Sequence, residues 1–180
     1  MTEEGGYTLT RRDAFAALAA VGVSAAGLYA LDRDAPGDAP LGEHERETLV
    51  AVARTVYPDA VDGVGEFVSA YAAGRAENRP EHARAVADAV ATLDGYAAER
   101  DGARYADLGP ERRDALLRDV GLDVADPDPD GLDAARLRYY LVNDLLYALY
   151  ASPTGGRLVG LENPQGHPGG TDSYRRGPDA

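Results

Sequence analysis

The sequence predicts an all-α fold: a compact bundle of about five helices, with an apolar N-terminal signal or anchor helix before it and an irregular Gly/Pro-rich C-terminal arm after it. Three observations carry that prediction. Between residues 43 and 150, apolar residues recur every three to four positions. Pro58, Pro80 and Pro110 stand where helices stop or start. No segment alternates apolar and polar residues as a half-buried strand does, and no internal repeat is present.

The elements follow in order. The first helix of the domain runs from about Glu43 to Tyr57, with Glu43, Glu45 and Glu47 at its positive end and Leu49, Val52, Ala53 and Val56 at helical spacing. A turn through Asp59, Asp62 and Gly63 leads to a short helix holding Phe67, Val68 and Tyr71, expected to stop near Gly74. The third helix starts near Pro80 and carries Ala83, Val86, Ala87, Val90, Leu93 and Ala97 on one stripe. After Gly109-Pro110 a helix over Glu111–Val120 turns Ala115, Leu116 and Leu117 inward. The acidic string Asp123–Asp133 forms a loop, with Asp130 or Asp133 as the cap of the last helix. From Tyr139 to Tyr150 only Asn143 and Asp144 are polar, so this helix is expected to be the buried centre of the domain.

Charge and composition narrow the function. The 180 residues hold 18 basic and 31 acidic side chains, a net charge of −13; every basic residue is an arginine, and 20 of the acids are aspartate. Such a surface repels phosphate backbones, so no nucleic-acid partner is expected. Its self-repulsion is screened at molar salt, where the Debye length falls to about 3 Å. A salt-loving source is the simplest reading; a GC-rich genome without salt adaptation is the alternative. With no cysteine, the chain has no disulfide, no thiolate-held cluster and no thiol nucleophile.

The N-terminus reads as an address. Arg11 and Arg12 stand together after a polar start, and an 18-residue run without charge follows from Ala14 to Leu31. An arginine pair before a moderately apolar, Ala/Gly-rich segment is the pattern of a twin-arginine export signal. Thr10-Arg11-Arg12-Asp13-Ala14-Phe15 resembles that motif, with bulky Phe15 one place later than usual. At 1.5 Å per residue the run reaches about 27 Å, marginal for spanning a bilayer. Two fates therefore stand: cleavage before Gly27, where Ser24 and Ala26 are small, or retention as an anchor. An Ala-rich core helix is set aside here, because nothing else in the segment needs the two arginines. The organisation expected is a signal or anchor over residues 1–31, a breaker-rich linker over 32–40, the helical domain over 41–151 and the arm over 152–180.

Catalytic chemistry is hard to find. His44 and His82 sit near helix starts and His167 lies in the Gly-rich tail, without Glu-x-x-His or His-x-x-x-His spacing. Gly155-Gly156 and Gly169-Gly170 neither follow a strand nor open a helix, so they read as turn glycines. Asp144, beside Asn143 in the apolar helix, reads as a buried or interfacial hydrogen-bonding spot. No catalytic, cofactor-binding or metal-binding residue is assigned. The tail (29 residues, seven glycines and four prolines) carries enough apolar side chains to lie along something, either its own domain or a partner.

From about Leu41 to Pro164 the chain resembles the gluconate 2-dehydrogenase subunit 3 family, in its haloarchaeal form. The matching stretches are Leu49-Val-Ala-Val-Ala-Arg-Thr-Val-Tyr-Pro58, Tyr105-Ala-Asp-Leu-Gly-Pro-Glu-Arg-Arg-Asp-Ala-Leu-Leu117, Tyr150-Ala-Ser-Pro-Thr-Gly-Gly156 and Leu158-Val-Gly-Leu-Glu-Asn-Pro164. The resemblance implies a small subunit without a cofactor of its own. Its partner is a large flavoprotein of the glucose–methanol–choline type, which holds FAD and oxidises a sugar, sugar acid or alcohol. The pair would leave by the twin-arginine translocase, at the outer face of the cytoplasmic membrane, with a membrane electron acceptor as a further partner. Arg11, Arg12 and Phe15 then carry the address, and Tyr147, Tyr150, Pro153, Gly155, Gly156, Leu158, Leu161, Pro164 and Tyr174 carry the contact. The alternative is a free-standing exported, membrane-tethered helical binding module.

Overall fold

The computed structural model describes residues 6–23 and 41–160. Within them the fold is mostly helical, built from β1 (Tyr7–Thr8), α1 (Arg11–Ala20), α2 (Glu43–Val56), β2 (Val61–Asp62), α3 (Val64–Asn78), α4 (Pro80–Asp101), α5 (Pro110–Asp119), α6 (Asp133–Leu137), α7 (Asp144–Ala151) and α8 (Pro153–Leu158). A single 3₁₀ turn, Tyr105–Asp107, precedes α5, and a π-helical segment, Arg138–Asn143, joins α6 to α7. The five expected helices of the domain are all present.

The stripes read from the sequence form the core. Leu49, Val52 and Ala53 of α2, Ala83, Val86, Val90, Leu93 and Ala97 of α4, and Leu116 and Leu117 of α5 are buried. The second helix is longer than expected: it passes Gly74 and ends at Asn78, with Gly74 buried inside it. Without a side chain, Gly74 lowers the helix propensity but fits a crowded interior, and packing wins. Neither Asp130 nor Asp133 caps the last helix. Leu132 is the N-cap, and Asp133 accepts instead from Tyr96 at 3.0 Å and Arg136 at 3.1 Å.

Three further expectations are corrected. First, the described start of the N-terminal run does not stand apart from the domain. This part is a ten-residue helix that includes both arginines and packs against α3, α7 and α8. Ala14, Ala17 and Leu18, at i, i+3 and i+4 on one helix face, are completely buried, and Leu9 is buried just before them. This is the core helix that the arginine flanks had argued against. The arginines occupy its exposed first turn, and small residues let its other face approach α3 closely. Fully burying a leucine stabilises by roughly 1.5–3 kcal/mol, so Leu9 and Leu18 alone contribute on the scale of a domain's net stability. No helix among the described residues is long and apolar enough to cross a membrane. Residues 24–40, which include the rest of the run and the linker, lie outside the described residues.

Second, a short strand pairing exists. Tyr7 and Thr8 run parallel to Val61 and Asp62, with Leu9 N–H donating to Asp62 O at 2.9 Å. Two residues are too few to leave an alternating signature in sequence. Gly63, at φ +75°, lets the chain pass: a Cβ there would lie 2.2 Å from the Leu9 carbonyl oxygen. Third, the arm is not irregular at its start. Ser152 caps α8, accepting from Gly155 N–H at 3.0 Å, and Pro153 takes the first helical position. The chain from 161 onward lies outside the described residues.

Candidate functional site

Three places gather the side chains that matter. The first is the start of α1. Thr10 closes a capping box: its hydroxyl accepts from Asp13 N–H at 3.3 Å, while Asp13 Oδ2 accepts from the Thr10 amide at 3.0 Å and its hydroxyl at 2.7 Å. Asp13 Oδ1 accepts from Thr154 N–H of α8 at 3.0 Å. Burial pushes the Asp13 carboxyl up, but the bonds from Thr10 and Thr154 outweigh it and hold the carboxyl below its ordinary 3.8. Arg11 Nε meets Glu66 Oε1 of α3 at 2.7 Å with 67% of its side chain exposed; Arg12 is exposed, and no carboxylate pairs with it among the described residues. Two cations at the positive end of a helix work against its dipole, so helix stability is not what places them there. Phe15 is half-buried against the core.

The second place is the outer face of α7. The expectation of a helix buried all round is corrected. Leu145, Ala148 and Leu149 face the core, while Tyr147 and Tyr150 are 48% and 40% exposed and Tyr139, in the π-helical segment, is also exposed. Tyrosine tolerates this position because its ring packs while its hydroxyl stays wet; the Tyr147 hydroxyl donates to Ala20 O at 3.3 Å. Of the other expected contact residues, Pro153 and Leu158 are half-buried and Val159 beside them is exposed. Gly155 and Gly156 are buried. Leu161, Pro164 and Tyr174, like His167, lie outside the described residues.

The third place is Asp144. Of the buried or interfacial hydrogen-bonding spot that its sequence context suggested, the structure shows a largely but not fully buried one, with a side chain 14% exposed. Arg75 Nη2 lies 2.9 Å from Oδ1, the Tyr71 hydroxyl donates to the same oxygen at 3.3 Å, and His82 Nε2 lies 3.3 Å from Oδ2. Arg75 Nε–H donates to His82 Nε2 at 3.1 Å. Burial, with the charge of Asp144 behind it, pushes the phenols of Tyr57 and Tyr71 far above the ordinary tyrosine range, so both stay protonated donors; Tyr57 donates to Leu145 O at 2.7 Å. The sequence had not connected Tyr71, Arg75 and His82 to this spot. A usable signal was there: a carboxylate in an apolar helix needs a buried cation, and Tyr71 and Arg75 share one helix face at i, i+4. The cluster ties α3, α4 and α7 together. Beside it, an open hollow of about 550 Å³ is lined by Arg79, Pro80, His82, Tyr139 and Tyr140 among others. No group of three or more His, Asp or Glu that could hold a metal ion occurs among the described residues.

The described residues thus form a mostly helical domain with a half-exposed aromatic face on α7 and an arginine-led helix packed into its core. A family model described as gluconate 2-dehydrogenase subunit 3 matches residues 43–169, well over half of the chain. The chain therefore belongs to the gluconate 2-dehydrogenase subunit 3 family, as its four sequence stretches suggested, and so to a family of dehydrogenase-complex subunits. No curated protein and no solved structure gives a significant match.

Proposed function

We propose that this chain is the non-catalytic small subunit of an FAD-dependent sugar, sugar-acid or alcohol dehydrogenase, which it binds, helps to mature and accompanies through the twin-arginine route. Family membership over residues 43–169 is the observation that carries this reading. The FAD and the oxidation belong to the large partner. This chain supplies a contact surface, in which Tyr147, Tyr150 and Leu158 take part, and an address in Arg11 and Arg12. Two features support that division: tyrosines are enriched where proteins meet, and the arginine pair stands exposed where the helix dipole disfavours it. The complex acts at the outer face of the cytoplasmic membrane.

Replacing both Arg11 and Arg12 with lysine should leave the small and large subunits together in the cytoplasm, as measured by fractionation. Normal export of the flavoprotein with that variant refutes the role. A mild pull-down of the C-terminally tagged chain from native membranes in high salt should bring down a yellow, stoichiometric partner. A colourless chain eluting alone would leave the family membership as a likeness of fold.

A further inference from the structure

The geometry points to the N-terminal helix being a permanent part of the mature domain rather than a removable leader, with the arginine pair displayed from its first turn on the already folded protein. Four ties reach from this segment to four separate places. Asp13 accepts from Thr154 N–H of α8, Arg11 pairs with Glu66 of α3, Ala20 O accepts from Tyr147 of α7, and Leu9 N–H donates to Asp62 O of β2. Between the ties, Leu9, Ala14, Ala17 and Leu18 are 2% exposed or less.

The rest of the domain is shaped around the segment in return. At Gly63 even a methyl group would collide with the Leu9 carbonyl oxygen, so the entry to α3 is cut to fit the N-terminal backbone. The Thr154 amide is buried, and Asp13 is its acceptor. A cut before Gly27 would carry away β1, α1 and that acceptor together. It would also expose the apolar faces of α3, α7 and α8 that α1 covers. Buried donors keep their partners in native proteins, and monomers rarely leave such a face open to water. The retention of α1 stands on these contacts alone; only its use as an address rests on the export proposed above.

Hydrogen exchange on the full chain tests the retention directly. Amides of residues 14–20, the hydrogen-bonded part of α1, should be protected to the same degree as those of Phe67–Asn78 and should open together with them. Exchange of residues 14–20 at the rate of an unstructured peptide, with Phe67–Asn78 still protected, overturns the inference. The intact mass of chain recovered from the outer side of the membrane should still include Arg11 and Arg12; a mature chain beginning downstream of Val23 overturns it as well. If no chain is found outside the cell, the export reading falls and the exchange result still decides whether α1 is a fixed part of the domain.

Discussion

Asp13 is a carboxylate withdrawn from water and kept ionised by the donors that surround it. Because its folded value lies below the ordinary 3.8, the ionised form is the one the fold prefers. Its contribution to stability is therefore complete above the unfolded value and lost as pH falls below 3.8 through the depressed folded value. Asp13→Asn leaves donors from Thr10 and Thr154 poorly matched and should cost about 1–3 kcal/mol at pH 7, with each kcal/mol worth about 2–4 °C in a domain of this size. Melting curves at pH 7 and pH 3 check this: the gap between the native chain and the variant should narrow in acid, and a gap of constant width sinks the assignment. Asp144 shows the complementary limit on reading single residues. Its burial was legible from the apolar helix around it. Its partners were not, since Tyr71 stands 73 positions away and His82 62.

At the scale of elements, α2 to α5 were legible because a 3.6-residue stripe and a proline at the boundary are local signals that tertiary packing here only reinforced. The placement of α1 was not. Alanines and leucines every third or fourth residue describe a membrane-directed segment and a close-packed core helix equally well, and only the packing of α1 against α3, α7 and α8 separates the two. The corner between α7 and α8 was hidden for another reason, since Gly155-Gly156 carries the composition of a flexible turn. A Cβ on Gly155 would lie 1.9 Å from the Leu149 carbonyl oxygen, a backbone atom that cannot swing aside. Gly155→Ala should therefore destabilise by about 1–3 kcal/mol. Gly95→Ala, in the exposed middle of α4 with nothing within 4 Å, should be neutral or stabilising by about 0.5–1 kcal/mol. Urea unfolding of the two variants side by side decides the matter; equal midpoints would mean that the corner relaxes freely.

The whole molecule carries −13 net charge with arginine as its sole strong cation. Pairs such as Arg112 with Asp101 at 2.6 Å and Arg104 with Asp107 at 2.8 Å offset part of the repulsion locally, but exposed pairs of this kind each contribute little. The remaining excess pushes the compact state apart until salt screens it. The melting temperature should rise by several degrees between dilute buffer and molar sodium chloride, as followed by circular dichroism, and an unchanged value would separate the acidic composition from any adaptation to salt.

The bond between Thr154 and Asp13 closes a loop of 141 positions, which gives the order of synthesis a physical meaning. The ribosome releases the arginine pair well before α7 and α8, which complete the seat that α3 begins. At about 5–20 residues per second the segment waits roughly seven to thirty seconds for that seat to be finished. Throughout that interval part of its apolar face is open to whatever binds nascent chains, and a truncated translation product can never bring Asp13 and Thr154 together.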